Sequence, residues 1–364
     1  MDEPAQSDEL IRIGKQHAAG VVTLDRPRAL NALSDDMRAH IAGALPDFAR
    51  DPIVYCMVIR SATERAFCAG GDVRELVGIA KDDPALALQS FGFEYALDWQ
   101  LECFSKPTVS LIDGMVMGSG VGLTLFGTHR VAGPRYSFAM PECAIGLFPD
   151  VGVCHHLARL PDEIGTYLAL TGARIGRGDA MALGLATHAV PSTALEPIVE
   201  RLADADPVDA LLDDFAEDAG PLELLEFRDA IAEWFAGDDV RAIRERLASA
   251  TAQGGKLAEF ASNAAAALDQ AAPLSLVVTL RHLRDVARKD LRDTLKQDYR
   301  LAAGFLAGHD FAEGVRAQLI DKDRAPKWQP ATLDEAAETN LDSYFAAPGD
   351  GDLDLPTREE LQRI

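Results

Sequence analysis

Two glycine-rich segments each follow a short apolar segment that is typical of a buried β-strand. Residues 67–72 follow the segment 56–59, and residues 114–122 follow the β-branched segment 108–112. Glycine lacks a Cβ atom, so the backbone at such points can turn sharply and can approach a ligand closely. The chain is therefore expected to present tight turns at the ends of buried strands.

Predicted helices lie between these strands. The segment 20–24 adds another short strand, and Ser34 then offers an N-cap with Asp35 and Asp36 in the first helical turn. Apolar residues follow at four-residue spacing, which indicates an amphipathic helix: Met37, Ile41 and Leu45. Because short strands alternate with helices, the sequence predicts an α/β fold.

The glycine-rich turns have two interpretations. Where such a turn opens a helix, its free N–H groups can stabilise a developing oxyanion, and turns from two strands can supply two converging donors. They can equally be tight packing turns. Neither turn matches a dinucleotide fingerprint, because Leu123 stands where a further glycine is needed, and the phosphate-binding pattern that ends in Gly-Lys-Ser/Thr is absent.

The formal net charge of the 364-residue chain is −23. Nucleic-acid-binding proteins usually carry a basic face, and an anionic membrane surface would repel such a chain, so both kinds of partner are disfavoured. A phosphorylated ligand would need a local site, built from a few Lys, Arg or backbone N–H groups.

The cysteines form no CxxC pair, and most of them lie among apolar residues: Cys56, Cys68, Cys103, Cys143 and Cys154. We expect small core side chains in a reducing compartment rather than disulfides. The acidic start of the chain shows neither a secretory signal nor an Arg-rich transit peptide, and no apolar stretch of about 18 residues occurs. These patterns predict a cytoplasmic protein.

The composition divides the chain into four regions. Residues 1–200 carry the strands and the glycine-rich turns, and residues 201–255 are predicted to be an acidic helical connector. Residues 256–345 are rich in Ala and Leu and helical in pattern, and residues 346–364 form a polar tail.

Three motifs together resemble the crotonase (enoyl-CoA hydratase/isomerase) superfamily. They are Asp25-Arg26-Pro27-Arg28-Ala29-Leu30-Asn31-Ala32-Leu33, Ala66-Phe67-Cys68-Ala69-Gly70-Gly71-Asp72 and the turn at Gly118. The resemblance implies a crotonase-like ββα spiral, followed here by a helical C-terminal region. It implies an acyl-coenzyme A substrate and no separate cofactor, and it makes a homo-oligomer a candidate assembly. No metal is expected, because adjacent histidines such as His155 and His156 rarely face one ion together.

Three further stretches resemble one branch of this superfamily, the 3-hydroxyisobutyryl-CoA hydrolases. They are the segment 138–152, which includes Met140-Pro141-Glu142 and Phe148-Pro149-Asp150, the segments 169–172 and 184–188, and the segment 308–317 with Pro326-Lys327-Trp328. The branch implies hydrolysis of a short 3-hydroxyacyl-CoA, with 3-hydroxyisobutyryl-CoA of valine catabolism as the expected substrate.

The resemblance also implies roles for particular residues. The backbone N–H groups of Gly71 and Ser119 would form the oxyanion hole, although the family usually has Gly at the second position. Glu94, Ala69 and Asp72 are candidates for substrate binding, and an exposed helical acid is the alternative for Glu94. Three basic residues are candidates for the coenzyme A phosphates, with solvated surface charges as the alternative: Arg28, Lys322 and Lys327.

The carboxylates separate hydrolysis from hydration. Hydratases of the superfamily use two glutamates, and here Gly122 stands at the first of these positions while Glu142 stands at the second. Asp150 is the additional acid of the hydrolase branch. Glu142 could attack the thioester directly or act as a general base on water, and Asp150 could orient the substrate or assist proton transfer.

A departure from the branch pattern follows Gly152, where the chain reads Val153-Cys154-His155-His156-Leu157. It raises two minor alternatives, a metal site at the adjacent histidines and a Cys154–His155 nucleophile. Together with Ser119, it also keeps open a non-catalytic acyl-CoA-binding protein, and enoyl-CoA hydratase or isomerase remains the alternative enzyme.

Overall fold

The structure is a computed structural model that describes residues 10–349 and 351–362. The acidic first residues of the chain, on which the prediction of location partly rests, lie outside this part. Ten strands are found there: β1 Ile11–Gln16, β2 Ala19–Leu24, β3 Cys56–Ser61, β4 Ala66–Cys68, β5 Thr108–Ile112, β6 Met115–Met117, β7 His129–Ala132, β8 Ser137–Ala139, β9 Ile175–Gly176 and β10 His188–Ala189.

Helices occupy most of the remaining described chain. They are α1 Asp35–Arg50, α2 Val73–Asp82, α3 Pro84–Glu102, α4 Ser119–Leu125, α5 Val153–Leu157, α6 Ile164–Thr171, α7 Arg177–Ala182, α8 Leu195–Ala203, α9 Val208–Asp214, α10 Arg228–Trp234, α11 Val240–Thr251, α12 Gly255–Gln270, α13 Pro273–Val286, α14 Leu291–Ala307, α15 Asp310–Val315, α16 Leu333–Ala337, α17 Asp342–Phe345 and α18 Arg358–Gln362. The α/β prediction is confirmed.

The larger sheet has six strands in the order β1-β2-β3-β5-β7-β10. Its first pair is antiparallel, and the remaining neighbours are parallel. The predicted strands at 20–24, 56–59 and 108–112 all lie in it. They read as continuous apolar segments because the sheet is covered on both faces, by α8 and α9 on one side and by the main core on the other.

A second sheet has the order β4-β6-β8-β9, and its first three strands are parallel. The sequence did not predict it: residues 115–117 form a strand where a turn over 114–122 was expected. Because parallel strands end at the same edge of a sheet, the segments after β4, β6 and β8 come together there.

The C-terminal half packs against the strand-containing half. α14 lies along α3, and α13 contacts α5 and α6. α15 meets the turn that follows β8 so closely that a Cβ atom on Gly314 would lie 2.3 Å from the carbonyl carbon of Ile145. Residues 201–255 contain the helices α9, α10 and α11, joined by loops, and contribute buried side chains such as Leu212, Ile231 and Phe235 to the two cores.

The polar tail contacts the outer side of α3. Leu355 is buried, Trp99 Nε1 donates a hydrogen bond to the Pro356 carbonyl at 2.7 Å, and Arg358 pairs with Glu102 at 2.5 Å. In the described chain, no helix has both the length and the apolar character that crossing a bilayer requires.

Candidate active site

A cavity of about 540 Å³ opens where the segments after β4, β6 and β8 meet. Its lining is contributed by several distant parts of the chain: residues 26–38, 69–79, 90–94, 117–119, 141–150 and Leu319. The volume lies in the range of small-molecule sites. Most of the residues predicted to form the site line this cavity.

The two glycine-rich turns touch each other at the cavity. Gly70 has φ +112° and Gly118 has φ +46°, backbone conformations that residues with a Cβ atom rarely adopt. A Cβ atom on Gly118 would lie 3.4 Å from Cα of Gly70 and 3.2 Å from Oε1 of Glu142. The turns therefore need glycine both for their backbone conformation and for the close approach of Glu142.

Gly71 and Ser119 lie next to each other in the wall of the cavity. A Cβ atom on Gly71 would lie 2.9 Å from Ser119 Oγ. Ser119 is the first residue of α4, where backbone N–H groups have no partner within the helix, and its backbone is outside the left-handed region. The side chain at this position is therefore compatible with the turn, since the strained backbone lies one residue earlier, at Gly118.

Glu142 begins a short 3-10 turn after Pro141 and is buried. In the described part of the protein, its Oε2 atom has no hydrogen-bond partner. Burial, and to a smaller extent the nearby charge of Glu94, raises the pKa of Glu142 to about 8. A carboxyl group with such a pKa can exchange a proton near neutral pH, which suits acid–base catalysis.

Asp150 is also buried and accepts a hydrogen bond from the Tyr95 hydroxyl at 2.9 Å. Burial raises the pKa of Asp150 well above its usual range, and Glu94 and Glu142 raise it further. The two residues that follow Asp150 both have positive φ, and the second of them, Gly152, donates its N–H to Asp298 at 2.7 Å. The C-terminal helix α14 thus fixes the loop that carries Asp150.

Glu94 lines the cavity and is only 6% exposed, so the interpretation as an exposed helical acid is wrong. Its Oε2 accepts a hydrogen bond from Arg38 at 2.9 Å. Arg38, Tyr95 and Asp98 were not recognised from the sequence. Glu94 and Asp98 are one helical turn apart on α3, among apolar residues on every side, and this spacing was the available signal.

Asp98 occupies the space beside Gly122. A Cβ atom on Gly122 would lie 2.6 Å from Oδ1 of Asp98, which is 1% exposed. Burial raises the pKa of Asp98 well above its usual range, and the charges of Glu94 and Asp150 add to this shift. A carboxyl group is therefore present next to the position at which hydratases carry their first glutamate, although Asp98 is not among the cavity-lining residues.

The predicted coenzyme A contacts are divided between the cavity and the surface. Ala69, Asp72 and Arg28 line the cavity. Asp72 also caps α2 by accepting from the Glu75 N–H and pairs with Arg26 at 2.8 Å. Lys322 and Lys327 are exposed and lie outside the lining, whereas three arginines that the sequence did not single out line it: Arg26, Arg38 and Arg74.

Residues 153–157, where the chain departs from the hydrolase-branch pattern, form α5. Cys154 in this helix is buried and donates to the Pro149 carbonyl at 3.2 Å. Burial raises the pKa of Cys154 well above its usual range, which makes it a poor nucleophile. His156, two residues further on, contacts the Leu183 carbonyl through Nε2. Across the described ranges, no group of three or more His, Cys, Asp or Glu side chains could hold a metal ion, and all five cysteines are free and buried.

Known proteins resemble the chain over nearly its whole length. The enoyl-CoA hydratase/isomerase family model matches residues 19–345. The mitochondrial 3-hydroxyisobutyryl-CoA hydrolase of Xenopus laevis is 41% identical over 351 residues, which cover 94% of this chain and 90% of the relative. The human enzyme of the same name is 38% identical over 363 residues, covering 97% and 92% respectively.

Solved structures share the fold. A carnitinyl-CoA dehydratase from Mycobacterium thermoresistibile superposes with a TM-score of 0.88 at 37% identity and covers 94% of this chain and 98% of its own. An enoyl-CoA hydratase from Rhodobacter sphaeroides superposes with a TM-score of 0.87 at 38% identity, covering 95% and 100%. The crotonase-like fold implied by the motifs is confirmed, and the chain belongs to the enoyl-CoA hydratase/isomerase family.

Proposed function

We propose that the protein hydrolyses a short 3-hydroxyacyl-CoA thioester, with 3-hydroxyisobutyryl-CoA as the expected substrate. The observation that carries this proposal is the meeting of Glu142 and Asp150 in one cavity, beside the paired turns of Gly71 and Ser119. The curated relatives named above are hydrolases of 3-hydroxyisobutyryl-CoA, which supports the same acyl group.

In this proposal, the thioester carbonyl oxygen accepts hydrogen bonds from the N–H groups of Gly71 and Ser119. Glu142 removes a proton from water, and the resulting hydroxide attacks the carbonyl carbon. Collapse of the tetrahedral intermediate breaks the C–S bond, and the sulfur of coenzyme A takes up the proton. Asp150, held by Tyr95, orients the hydroxyl group of the acyl chain.

Direct attack by Glu142 is the other route to the same products. It would form a mixed anhydride between the acyl group and the Glu142 carboxylate, which water then opens. Turnover in ¹⁸O-labelled water separates the routes. Repeated turnover through the anhydride can place ¹⁸O in the peptide that contains Glu142, whereas the general-base route labels only the released acid.

The test of the function is an assay with two substrates. The protein is incubated with 3-hydroxyisobutyryl-CoA and with crotonyl-CoA, and free thiol and enoyl absorbance are followed separately. We expect thiol release from the first substrate, lost in Glu142→Ala and retained in Glu259→Gln, a change at an exposed position. Hydration of crotonyl-CoA without thiol release would contradict the proposal.

Enoyl-CoA hydration is the second candidate, and Asp98 is the observation that favours it. This carboxyl group lies beside Gly122, where a second acid would act in hydration. The solved relatives with high TM-scores include an enoyl-CoA hydratase. An Asp98→Asn variant that loses crotonyl-CoA hydration but keeps thioester hydrolysis would assign Asp98 to the second activity. Binding of acyl-CoA without either reaction would instead support the non-catalytic alternative.

The place of the reaction in valine catabolism belongs to the same proposal, because it follows from the acyl group. A homo-oligomer is proposed from the family resemblance, and its test is the mass of the native protein in solution. The cytoplasmic location stays a prediction, and the curated relatives are named as mitochondrial proteins.

A further inference from the structure

Arg38 lies beside both glycine-rich turns, on helix α1. It is 6% exposed and donates through Nη1 to Asp35 at 2.8 Å. Its Nη2 donates to Glu94 at 2.9 Å and to Ser119 Oγ at 3.2 Å. A Cβ atom on Gly71 would lie 2.8 Å from the same nitrogen. One guanidinium nitrogen therefore touches α3, α4 and the turn after β4.

The guanidinium remains charged in this buried position. Burial by itself would lower the pKa of Arg38, but the charges of Glu94 and Asp35 raise it above its ordinary value. A buried charge without partners is costly, so the ion pair with Glu94 fixes the position of the guanidinium. The positive charge thus stays next to Gly71 and Ser119.

The cluster of Arg38, Glu94 and Ser119 leaves two polar atoms unused by its own hydrogen bonds. Among the described residues, Arg38 Nε and Glu94 Oε1 are buried without a hydrogen-bond partner, and both side chains line the cavity. Buried polar atoms of native proteins usually have partners, so these two atoms at the cavity wall are available to a polar group of a ligand or to water. The Ser119 hydroxyl, which replaces the usual glycine, points at Arg38 rather than at solvent.

We propose that Arg38 is a positioning residue for thioester hydrolysis. Through its contacts with Ser119 Oγ and Glu94, it keeps the backbone N–H groups of Gly71 and Ser119 directed at the same point. This inference rests on the proposed function. It gives a role to the Ser119 hydroxyl, because an oxyanion hole built from backbone N–H groups does not require that hydroxyl. Small displacements of oxyanion-hole donors reduce transition-state stabilisation more than substrate binding, so the effect belongs to kcat.

Ser119→Ala tests the contact with the smallest change. It removes the hydroxyl, keeps the backbone N–H and leaves Arg38 paired with Glu94. We expect kcat to fall about 10-fold with KM within about 2-fold, a fraction of the loss known for deleting an oxyanion donor. Thr124→Val is the matched control, because it removes a buried hydroxyl from the same helix that bonds only backbone carbonyls. It should keep the wild-type kcat.

Arg38→Lys keeps the charge but loses the planar fork that reaches three partners. We expect a similar loss of kcat, and a smaller loss when the change is made in the Ser119→Ala background. Such coupling shows that Arg38 acts through Ser119. If Ser119→Ala and Arg38→Lys lower only the thermal midpoint and leave kcat unchanged, Arg38 is a structural ion-pair partner and the inference is wrong.

A spectroscopic measurement separates this inference from the function itself. Acyl-CoA labelled with ¹³C at the thioester carbonyl is bound to Glu142→Gln and to Glu142→Gln/Ser119→Ala, in which Glu142 cannot promote turnover. Hydrogen bonds in an oxyanion hole polarise the carbonyl, so we expect a downfield shift in the first protein that is reduced in the second. Equal shifts alongside thiol release by the wild type would overturn the inference alone, whereas absence of thiol release by the wild type would overturn the proposed function on which it rests.

Discussion

Several buried carboxyl groups surround the loops of the site: Glu94, Asp98, Glu142, Asp150 and Asp298. Among the described residues, Arg38 places the one buried guanidinium next to these acids, where it pairs with Glu94. Burial raises the pKa of Asp98, Glu142 and Asp150, and the charge of Glu94 raises it further in all three. The proton affinities of these three acids are therefore set first by burial and then by the neighbouring carboxylates.

The raised pKa of Glu142 predicts a pH dependence. Glu142 must be ionised to act as a base or as a nucleophile, and its pKa is about 8. We expect kcat/KM for 3-hydroxyisobutyryl-CoA to rise with pH and to level off above about pH 8. A profile that is flat between pH 6 and 9 would contradict this assignment.

The same shift predicts that Glu142→Gln stabilises the fold at alkaline pH. The ordinary pKa of Glu142 is 4.5 and the folded value is about 8. The unfolded chain thus loses this proton first, and stability falls as pH rises between these values, by at most about 1.4 kcal/mol per pH unit. The Gln variant avoids this fall. Urea unfolding at pH 5 and pH 8 should show a difference from wild type only at the higher pH.

Gly118 and Gly78 offer a matched pair of glycine substitutions. Gly118→Ala places a Cβ atom at φ +46°, 3.2 Å from Glu142 Oε1, so we expect at least a 10-fold loss of kcat and a cost of about 1–3 kcal/mol in stability. Gly78 lies within α2, and a Cβ atom there meets nothing within 4 Å. Gly78→Ala should stabilise the protein by about 0.5–1 kcal/mol and leave activity unchanged.

Among the elements, α1 shows how local signals predict structure. Ser34 accepts a hydrogen bond from the Met37 N–H at 3.3 Å, and Met37, Ile41 and Leu45 are buried, both as predicted. Strands β4, β6 and β8 were not predicted. Each has only three residues and overlaps or adjoins a glycine-rich or proline-containing turn, and its strand pairing depends on distant partners.

The sequence indicated those residues of the candidate site that belong to a motif. It did not indicate residues whose position depends on packing between distant segments. Glu142, Asp150, Gly71 and Ser119 come together at the cavity, as the family resemblance implied. Their supporting residues could not be found in this way. Asp298, for example, is 146 residues away from its hydrogen-bond partner Gly152, and no local pattern indicates that contact.

The contact between α14 and the Asp150 loop predicts a large effect of Asp298→Ala. Asp298 accepts from the Gly152 N–H, and its other oxygen lies 2.8 Å from His282 Nε2; both side chains are wholly buried. Removing the carboxylate leaves the Gly152 N–H and His282 Nε2 buried without this partner. We therefore expect the free energy of unfolding to fall by about 3 kcal/mol and kcat to fall as well. Asp293→Ala, an exposed change on the same helix, should cost less than about 1 kcal/mol. Equal urea midpoints for the two variants would refute this role.

Across the whole molecule, the C-terminal regions support the site from two sides. α15 packs against the turn that carries Glu142, and a Cβ atom on Gly146 would lie 2.2 Å from the Asp310 carbonyl oxygen. Residues 351–362 cover α3, which carries Glu94, Tyr95 and Asp98. The site is therefore held between parts of the chain that are about 160 residues apart or more.

Leu355 predicts how much the tail contributes to stability. It is wholly buried, and Arg292 Nε donates to its carbonyl at 2.9 Å. We expect Leu355→Ala to lower the free energy of unfolding by about 3 kcal/mol, because a cavity remains beneath the tail. Asp354→Ala, at the neighbouring exposed position, should be within about 0.5 kcal/mol of wild type. Similar losses in both variants would show that the tail does not anchor through Leu355.

The lining of the cavity extends along the chain from Arg26 to Leu319. During synthesis on a ribosome, the glycine-rich turns and Glu142 emerge long before α15 and Leu319 can pack against them. A nascent chain therefore carries its acids and the proposed oxyanion donors without the helices that bury them, and the pKa shifts that follow from burial are absent. Catalytic competence consequently arises only after nearly the whole polypeptide has left the ribosome, so truncated translation products of this gene would be inert toward acyl-CoA.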